Sequence, residues 1–258
     1  MALVRIQHTS MEFSDSVEQH RHDAKVIFDR AVAKKVWACT GTEAGGARSN
    51  HDLRDQLIVQ AHAHEFYIYA HPNGEWVACN RALMRDFDKG YAGPFIKAKG
   101  GKASQGAHAA RGVTWVQGAG KDASLGRMTF GSAHYLTNRS EAASRTSNEP
   151  LIRGIAEWGK KMGGGSKIVF LGADANTNDK ALDVFNGRPF TTAADELKRH
   201  EPTHGPHSYI DIIASYDHDG RVKAKSFESF TDKEFFLYTD HYMIEAIYEV
   251  GEIRTKKA

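Results

Sequence analysis

The chain has 258 residues, 41% hydrophobic and 26% charged, ordinary proportions for a globular protein long enough to bury a large core without staples. Lys+Arg 34 against Asp+Glu 32 leaves a net charge of +2, which excludes recognition driven by bulk charge and leaves any polyanion binding to local patches. The two cysteines make neither a CxxC motif nor a disulfide framework, no apolar run nears the roughly 20 residues of a membrane span, and MALVRIQHTS lacks a signal-peptide apolar stretch, so a cytoplasmic protein is expected.

Taken in chain order, Leu3–Ile6 predicts a first short strand. Ser14 or Asp15 can cap a helix in which Val17, Ala24, Ile27, Phe28, Ala31 and Val32 recur at helical spacing up to Lys34. Val36–Thr40 predicts a strand ending in Gly41, and Asp52–Ala63 a second helix. Phe66–Ala70 and Trp76–Cys79 flank His71-Pro72-Asn73-Gly74, whose Asn-Gly signals a hairpin. Phe95–Arg111, rich in Gly, Ala, Ser and Lys, predicts a loop, followed by strands at Gly112–Val116 and Arg127–Leu136.

Asn138–Asn148 predicts a polar loop, and Pro150 to Met162 a helix with Leu151, Ile152, Ile155 and Trp158 on one face, stopped by Gly163-Gly164-Gly165. A buried strand at Lys167–Leu171, a helix at Thr191–His200 and strands at Tyr209–Ala214, Val222–Phe230 and Met243–Val250 complete the chain. No repeat or linker interrupts it, so one domain over 1–258 is expected. Short strands with hairpins between them point to two packed sheets with outer helices, and the missing GxGxxG and GxxxxGK[ST] argue against dinucleotide and P-loop folds.

Three apolar runs end abruptly in residues able to hold a metal: Val36–Cys39 before Glu43, Ile168–Leu171 before Asp174 and Asn176, and Phe235–Tyr238 before Asp240 and His241. A carboxylate following a buried strand is costly unless it is paired or meets a cation. Oxygen donors of this kind suit Mg²⁺, Mn²⁺ or Ca²⁺ better than zinc. Asp174 and Asn176 share a face of an extended segment, whereas Asp240 and His241 diverge. Each string alone also reads as a turn or cap; their ordered set is what points to one cleft.

With these residues the sequence resembles the endonuclease/exonuclease/phosphatase (DNase I-like) superfamily. Glu43 in GTEAG matches the family's metal-binding Glu, and His134 in FGSAHYL its strand His. Asp174 and Asn176 in GADAN match G-D-x-N with Ala173 inserted, Asp211 in SYIDII matches I-D, and Thr239-Asp240-His241 matches the terminal [ST]-D-H. The first-strand Asn is replaced, with Ser10 in RIQHTSM aligned to it.

The resemblance implies an α+β, four-layer α/β/β/α sandwich of two mostly antiparallel sheets and a divalent-metal-dependent phosphodiesterase using Mg²⁺ or Mn²⁺, with Ca²⁺ a third option. It implies that Glu43 and Asp240 hold the metal, that Asp174 activates water positioned by Asn176, that His241 oriented by Asp211 binds phosphate, and that His134 serves the leaving oxygen. Ser10 and Arg111 are then substrate contacts.

Lys97, Lys99, Lys102 and Arg111 among glycines could follow a phosphate backbone, and Trp76, Trp115 and Tyr91 could stack on bases. With a compact chain that shows no evident lipid-binding insertion or secretion signal, DNA is the expected substrate, with a small phosphoester (an inositol phosphate or nucleotide) and a non-catalytic binding role as alternatives. His62 and His64 lack a third zinc ligand nearby in sequence, and His20, His22, His204 and His207 are read as surface or loop residues.

Overall fold

The computed structural model describes residues 1–11, 16–44, 51–100, 108–137, 141–164, 167–176, 189–205, 208–230 and 239–252, with 51 and 141–145 as backbone only. Two six-stranded sheets stack face to face. The first contains β1 (Ala2–Ser10), β2 (Ala38–Thr42), β3 (Phe66–Ala70), β4 (Trp76–Asn80), β11 (Val222–Phe230) and β12 (Met243–Val250), in the order β11-β12-β1-β2-β4-β3. The second contains β5 (Met84–Ile96), β6 (Arg111–Gly120), β7 (Arg127–His134), β8 (Ile168–Asp174), β9 (Thr191–Thr192) and β10 (Asp211–Asp217), in the order β5-β6-β7-β8-β10-β9. Among the described residues only β1–β2 and β7–β8 pair in parallel; the other strand pairs are antiparallel.

Side chains alternate across a strand, and that alternation builds three apolar layers. Val4, Ile6, Ala38, Met128, Phe130, Ile168, Phe170 and Ile213 fill the space between the sheets. The opposite parity of the first sheet, Cys39, Phe66, Ile68, Trp76 and Ala78, packs under α1 (Val17–Ala33) and α2 (His51–Ala63). The opposite parity of the second, Val169, Leu171, Ala173 and Ile212, packs under α3 (Glu141–Met162) through Leu151, Ile155 and Trp158. Each buried Phe or Leu contributes about 1.5–3 kcal/mol. The result is the expected helix–sheet–sheet–helix sandwich. Cys39 and Cys79 face different layers, so they stay free thiols.

Several elements differ from expectation. β1 runs on to Ser10, and Ser16 caps α1 with Gln19 closing the capping box; Ser14 and Asp15 lie outside the described residues. β5 went unassigned because it is a largely exposed edge strand with bulges against β6 and no apolar alternation. α3 starts at Glu141 in the segment expected to be a polar loop, and it carries Pro150 inside it.

The helix expected over Thr191–His200 is a two-residue strand followed by α4 (Ala193–Leu197), with Lys198 left-handed at its C-cap. His20 is buried on α1 rather than at the surface. Trp76 is fully buried against Phe28 and cannot meet a base. Lys102 and His207 fall outside the described residues. No helix among the described residues is long and apolar enough to cross a membrane.

Candidate active site

The inward face of each central strand turns from apolar to polar toward the same end of the sandwich. In β1 it reads Val4, Ile6, His8, Ser10; in β2, Ala38, Thr40, Thr42; in β7, Met128, Phe130, Ser132, His134; in β8, Ile168, Phe170, Gly172, Asp174. The antiparallel β10 enters at that end with Asp211. Register then sets the neighbours: Ser10 beside Thr42, and Asp174 between His134 and Asp211. The sheets pinch together here. A Cβ on Gly172 would lie 2.1 Å from Thr40 Oγ1 and 2.5 Å from His8 Nδ1, so only glycine fits.

Asp174 and Glu43 face one another across Ser10. Ser10 Oγ donates to Glu43 Oε2 (3.2 Å), lies 3.5 Å from Asp174 Oδ2, and accepts from Thr42 Oγ1 (2.8 Å). Ser10 therefore links both carboxylates. Glu43 at φ 64° and Asn176 at φ 48° both adopt the left-handed backbone, a conformation that costs energy and gathers at functional sites. Burial and the nearby Asp211 and Glu43 carboxylates hold the Asp174 carboxyl well above its ordinary range.

Two imidazoles complete the cluster with opposite characters. His241 Nδ1–H donates to Asp211 Oδ2 at 2.8 Å, leaving Nε2 4.0 Å from Asp174 Oδ2. Burial alone would lower its pKa, but Asp211, Asp174 and Asp240 outweigh burial and raise it to about 10. His241 is thus an imidazolium at neutral pH.

His134 is the reverse case. Arg111 donates to its Nδ1 at 2.9 Å, so the proton of the neutral ring sits on Nε2, 3.6 Å from Glu43 Oε1 and 3.5 Å from Asp174 Oδ2. Burial, and then Arg111, keep it well below 6.5. His134 is fixed as a neutral N–H donor.

The other expected residues take different places. Asn176 donates its backbone N–H to Asp174 Oδ1 (2.9 Å), while its amide is held by Thr137 Oγ1 and the Tyr135 carbonyl. Its backbone N–H thus holds Asp174, and its side-chain amide meets Thr137 and Tyr135. Asp240 accepts from His204 Nε2 at 2.8 Å and lies 3.8 Å from His241 Nε2. Glu43, Asp174 and His241 gather as one potential metal-holding group and His204, Asp240 and His241 as another, so Asp240 does not share a group with Glu43. Asp240 and His241 precede β12 rather than end a described strand; Phe235–Tyr238 lie outside the described residues. Lys97 and Lys99 are exposed on the segment after β5.

Four further residues bear on the site, one of them Thr239 of the terminal motif. His8, its pKa lowered by burial to about 4, bonds Thr40 Oγ1 at 2.9 Å and lies 3.8 Å from Asp211 Oδ1. Thr239 ties the Asp240–His241 segment to β1 by donating to the Ser10 carbonyl (2.9 Å) and accepts from the His241 N–H (3.2 Å). His204, expected at the surface or in a loop, lies in the loop before β10 and is 35% exposed. Glu75 is fully buried within the electrostatic reach of Arg111, and neither of its oxygens reaches a donor of another described residue. Strand parity alone would have found His8, two residues before Ser10.

Burial raises the Glu75 pKa from 4.5 to about 7, with Arg111 opposing. A raised carboxyl contributes stability that is full below 4.5 and lost as pH climbs through 7. Wild type is therefore expected to lose up to roughly 3 kcal/mol relative to Glu75→Gln between those limits, at about 1.4 kcal/mol per pH unit. Urea unfolding at pH 4.5 and 8 measures this; a constant gap between the two proteins would show that Glu75 is ionised throughout.

No protein-family model matches the sequence, and no curated protein matches it. Solved structures do. An endonuclease/exonuclease/phosphatase from Bacteroides vulgatus superposes with TM-score 0.73 at 14% identity, over 97% of this chain and 100% of that one. TDP2 from D. rerio, humanised by 14 mutations, gives 0.71 at 12%, over 96% and 99%. The mannosyl-6-phosphatase Bt3783 of Bacteroides thetaiotaomicron gives 0.65 at 14%, over 95% and 99%. Through two mixed sheets and their outer helices, end to end, this chain has the endonuclease/exonuclease/phosphatase fold.

Proposed function

We propose that this chain is a divalent-cation-dependent phosphoester hydrolase whose preferred substrate is a phosphodiester of nucleic acid, DNA first. The observation that carries the reading is the convergence of Glu43, Asp174, His134 and the Asp211–His241 pair at one mouth, from five separate segments of the chain. The donor set fits a hard divalent cation. Glu43 and Asp174 bring carboxylate oxygens within 4.8 Å of one another, and these carboxylates repel each other unless positive charge lies between them. Glu43 would hold Mg²⁺ or Mn²⁺, which when bound supplies positive charge against phosphoryl oxygens.

The chain's own groups then divide the work. Asp174, made more basic than an ordinary aspartate by burial and its carboxylate neighbours, takes the proton of a water attacking phosphorus. Asn176 keeps Asp174 aimed by its backbone N–H. The His241 imidazolium, fixed by Asp211, binds a non-bridging phosphate oxygen and meets the charge that builds there. His134 donates its Nε2–H to the leaving oxygen without giving the proton up, because Arg111 occupies Nδ1. The free, buried cysteines suit a reducing, cytoplasmic setting.

A small phosphomonoester is the second reading. It is favoured by the likeness to the mannosyl-6-phosphatase, just as DNA is favoured by the likeness to D. rerio TDP2 complexed with single-strand DNA product. Incubation with Mg²⁺ or Mn²⁺ and single-stranded, double-stranded or nicked-plasmid DNA is expected to give cleaved product that chelator abolishes. Phosphate release from sugar phosphates with intact DNA would shift the substrate to the small esters. No product from either class would leave a binding protein.

A further inference from the structure

On the outer side of His241, a second set of ligand atoms is assembled by backbone pairing. The Tyr242 N–H donates to the Thr203 carbonyl at 2.7 Å, and His204 and His241 sit opposite one another in an isolated bridge. Thr203 Oγ1 accepts from the Ile210 and Asp211 N–H groups at 2.9 and 2.8 Å, which laces the same segment to the start of β10. Three side chains are thereby brought together without relying on long flexible arms. His204 Nε2 meets Asp240 Oδ2 at 2.8 Å, Asp240 Oδ1 lies 3.8 Å from His241 Nε2, and the two imidazole rings stand 4.8 Å apart.

The donor chemistry here differs from that at Glu43. Two imidazoles and one carboxylate, all ligand atoms within 4.8 Å of one another, are a borderline donor set. Such a set favours Zn²⁺ and its transition-series neighbours over Mg²⁺ or Ca²⁺. Ligands on a tetrahedral zinc lie about 3.4 Å apart, from bonds of roughly 2.0–2.2 Å. His204, 35% exposed, and Asp240, 45% exposed, have room to close the difference. A second observation points the same way. Asp211 holds the His241 Nδ1–H at 2.8 Å, the carboxylate–imidazole arrangement that fixes the tautomer of metal-ligating histidines and leaves Nε2 for the ion.

We propose that His204, Asp240 and His241 form a zinc-class metal site at the rim of the cleft. Occupying it would draw His241 Nε2 away from the phosphate position and block hydrolysis. The site therefore opposes the Mg²⁺-supported reaction, and its inhibitory consequence, though not its existence, rests on the function proposed above. Zn²⁺ binding here displaces the proton on His241 Nε2 to solvent and breaks the His204–Asp240 hydrogen bond, the ring proton of His204 moving through solvent from Nε2 to Nδ1 so that Nε2 can ligate. No covalent or redox step is involved.

The test is metal binding to the intact chain without substrate, by Zn²⁺ titration calorimetry and by the visible absorption of Co²⁺ as a zinc surrogate, in excess Mg²⁺. Wild type is expected to bind one Zn²⁺ that Mg²⁺ does not displace, and to give Co²⁺ bands of nitrogen and oxygen ligation. His204→Gln, which removes one imidazole from the half-exposed rim, is expected to weaken Zn²⁺ binding by about 100-fold or more. Asp211→Asn, which removes the outer partner of His241, should weaken it by about 10–100-fold. Thermal melts of the metal-free variants confirm that each is folded.

Wild-type affinity retained in folded His204→Gln, or Zn²⁺ freely displaced by Mg²⁺, overturns the site. A chain that binds Zn²⁺ as expected but cleaves no phosphoester leaves the metal site standing and removes the function instead.

Discussion

His241→Ala is expected to lower kcat for Mg²⁺-supported hydrolysis by about 10²–10⁴-fold, the range found when a positioned charge or proton-bearing group is removed from a transition state. The fold should survive. His241 lies in a short segment before β12, and that segment is anchored independently by Thr239 on the Ser10 carbonyl and by Tyr242 on the Thr203 carbonyl. The cost to stability comes from Asp211, which is 2% exposed and loses the hydrogen bond that His241 Nδ1–H donates to its Oδ2. An orphaned buried acceptor costs about 1–3 kcal/mol.

The pH profile separates charge from mere contact. The His241 pKa is raised to about 10, so an imidazolium-dependent rate holds through neutrality and declines as pH rises through that value. His241→Gln keeps an N–H donor without the charge and should fall between wild type and alanine. Full cation-dependent activity in folded His241→Ala would remove His241 from the chemistry.

Much of this architecture is legible in the sequence because burial leaves a parity signature. β8 reads Ile168, Phe170, Gly172, Asp174 on one face and Val169, Leu171, Ala173 on the other, and both faces are covered, one by a sheet and one by α3. A run with no polar face that ends in a carboxylate has to place that carboxylate at an edge or pair it. The same logic, applied to Val4, Ile6, His8 and Ser10, places Ser10 at the polar end of the inward face of β1.

Elsewhere local signals ran out. β5 has an exposed face bearing Arg85, Asp86, Asp88 and Lys89, so its strand character comes from pairing with β6, a non-local contact. In α3 the first turns are polar and Pro150 normally marks a helix start, so the portion before it shows no period. His204, Glu75 and Arg111 act through partners distant in the chain, which spacing cannot reveal. Asp240 was assigned beside Glu43 from its motif, but backbone pairing between the 203–204 and 241–242 segments places it beside His204.

Asp174→Asn is expected to be the most damaging isosteric change and at the same time a stabilising one in metal-free buffer. Its shape is conserved, and its Oδ1 can still accept from the Asn176 N–H, the bond that is 2.9 Å in wild type. What disappears is the proton acceptor for the attacking water, together with the negative charge beside Glu43. A loss of roughly 10³–10⁴-fold in kcat is expected, measured with saturating Mg²⁺ on the substrate that wild type prefers.

Stability should move the other way. Burial and the Asp211 and Glu43 carboxylates raise the Asp174 pKa well above 3.8. Its contribution is therefore present in full below that ordinary value and is lost as pH rises through the folded-state pKa. Asparagine never ionises and escapes that loss, so at neutral pH the variant should melt higher than wild type, with the gap closing in acid. Mg²⁺ should then raise the wild-type melting temperature more than the variant's, because the cation offsets a carboxylate repulsion that the variant lacks. A site strained for catalysis gives this opposed pair of shifts. A variant that melts lower than wild type at neutral pH while still cleaving phosphoesters would mean that Asp174 is a structural carboxylate and that the attacking water is activated elsewhere.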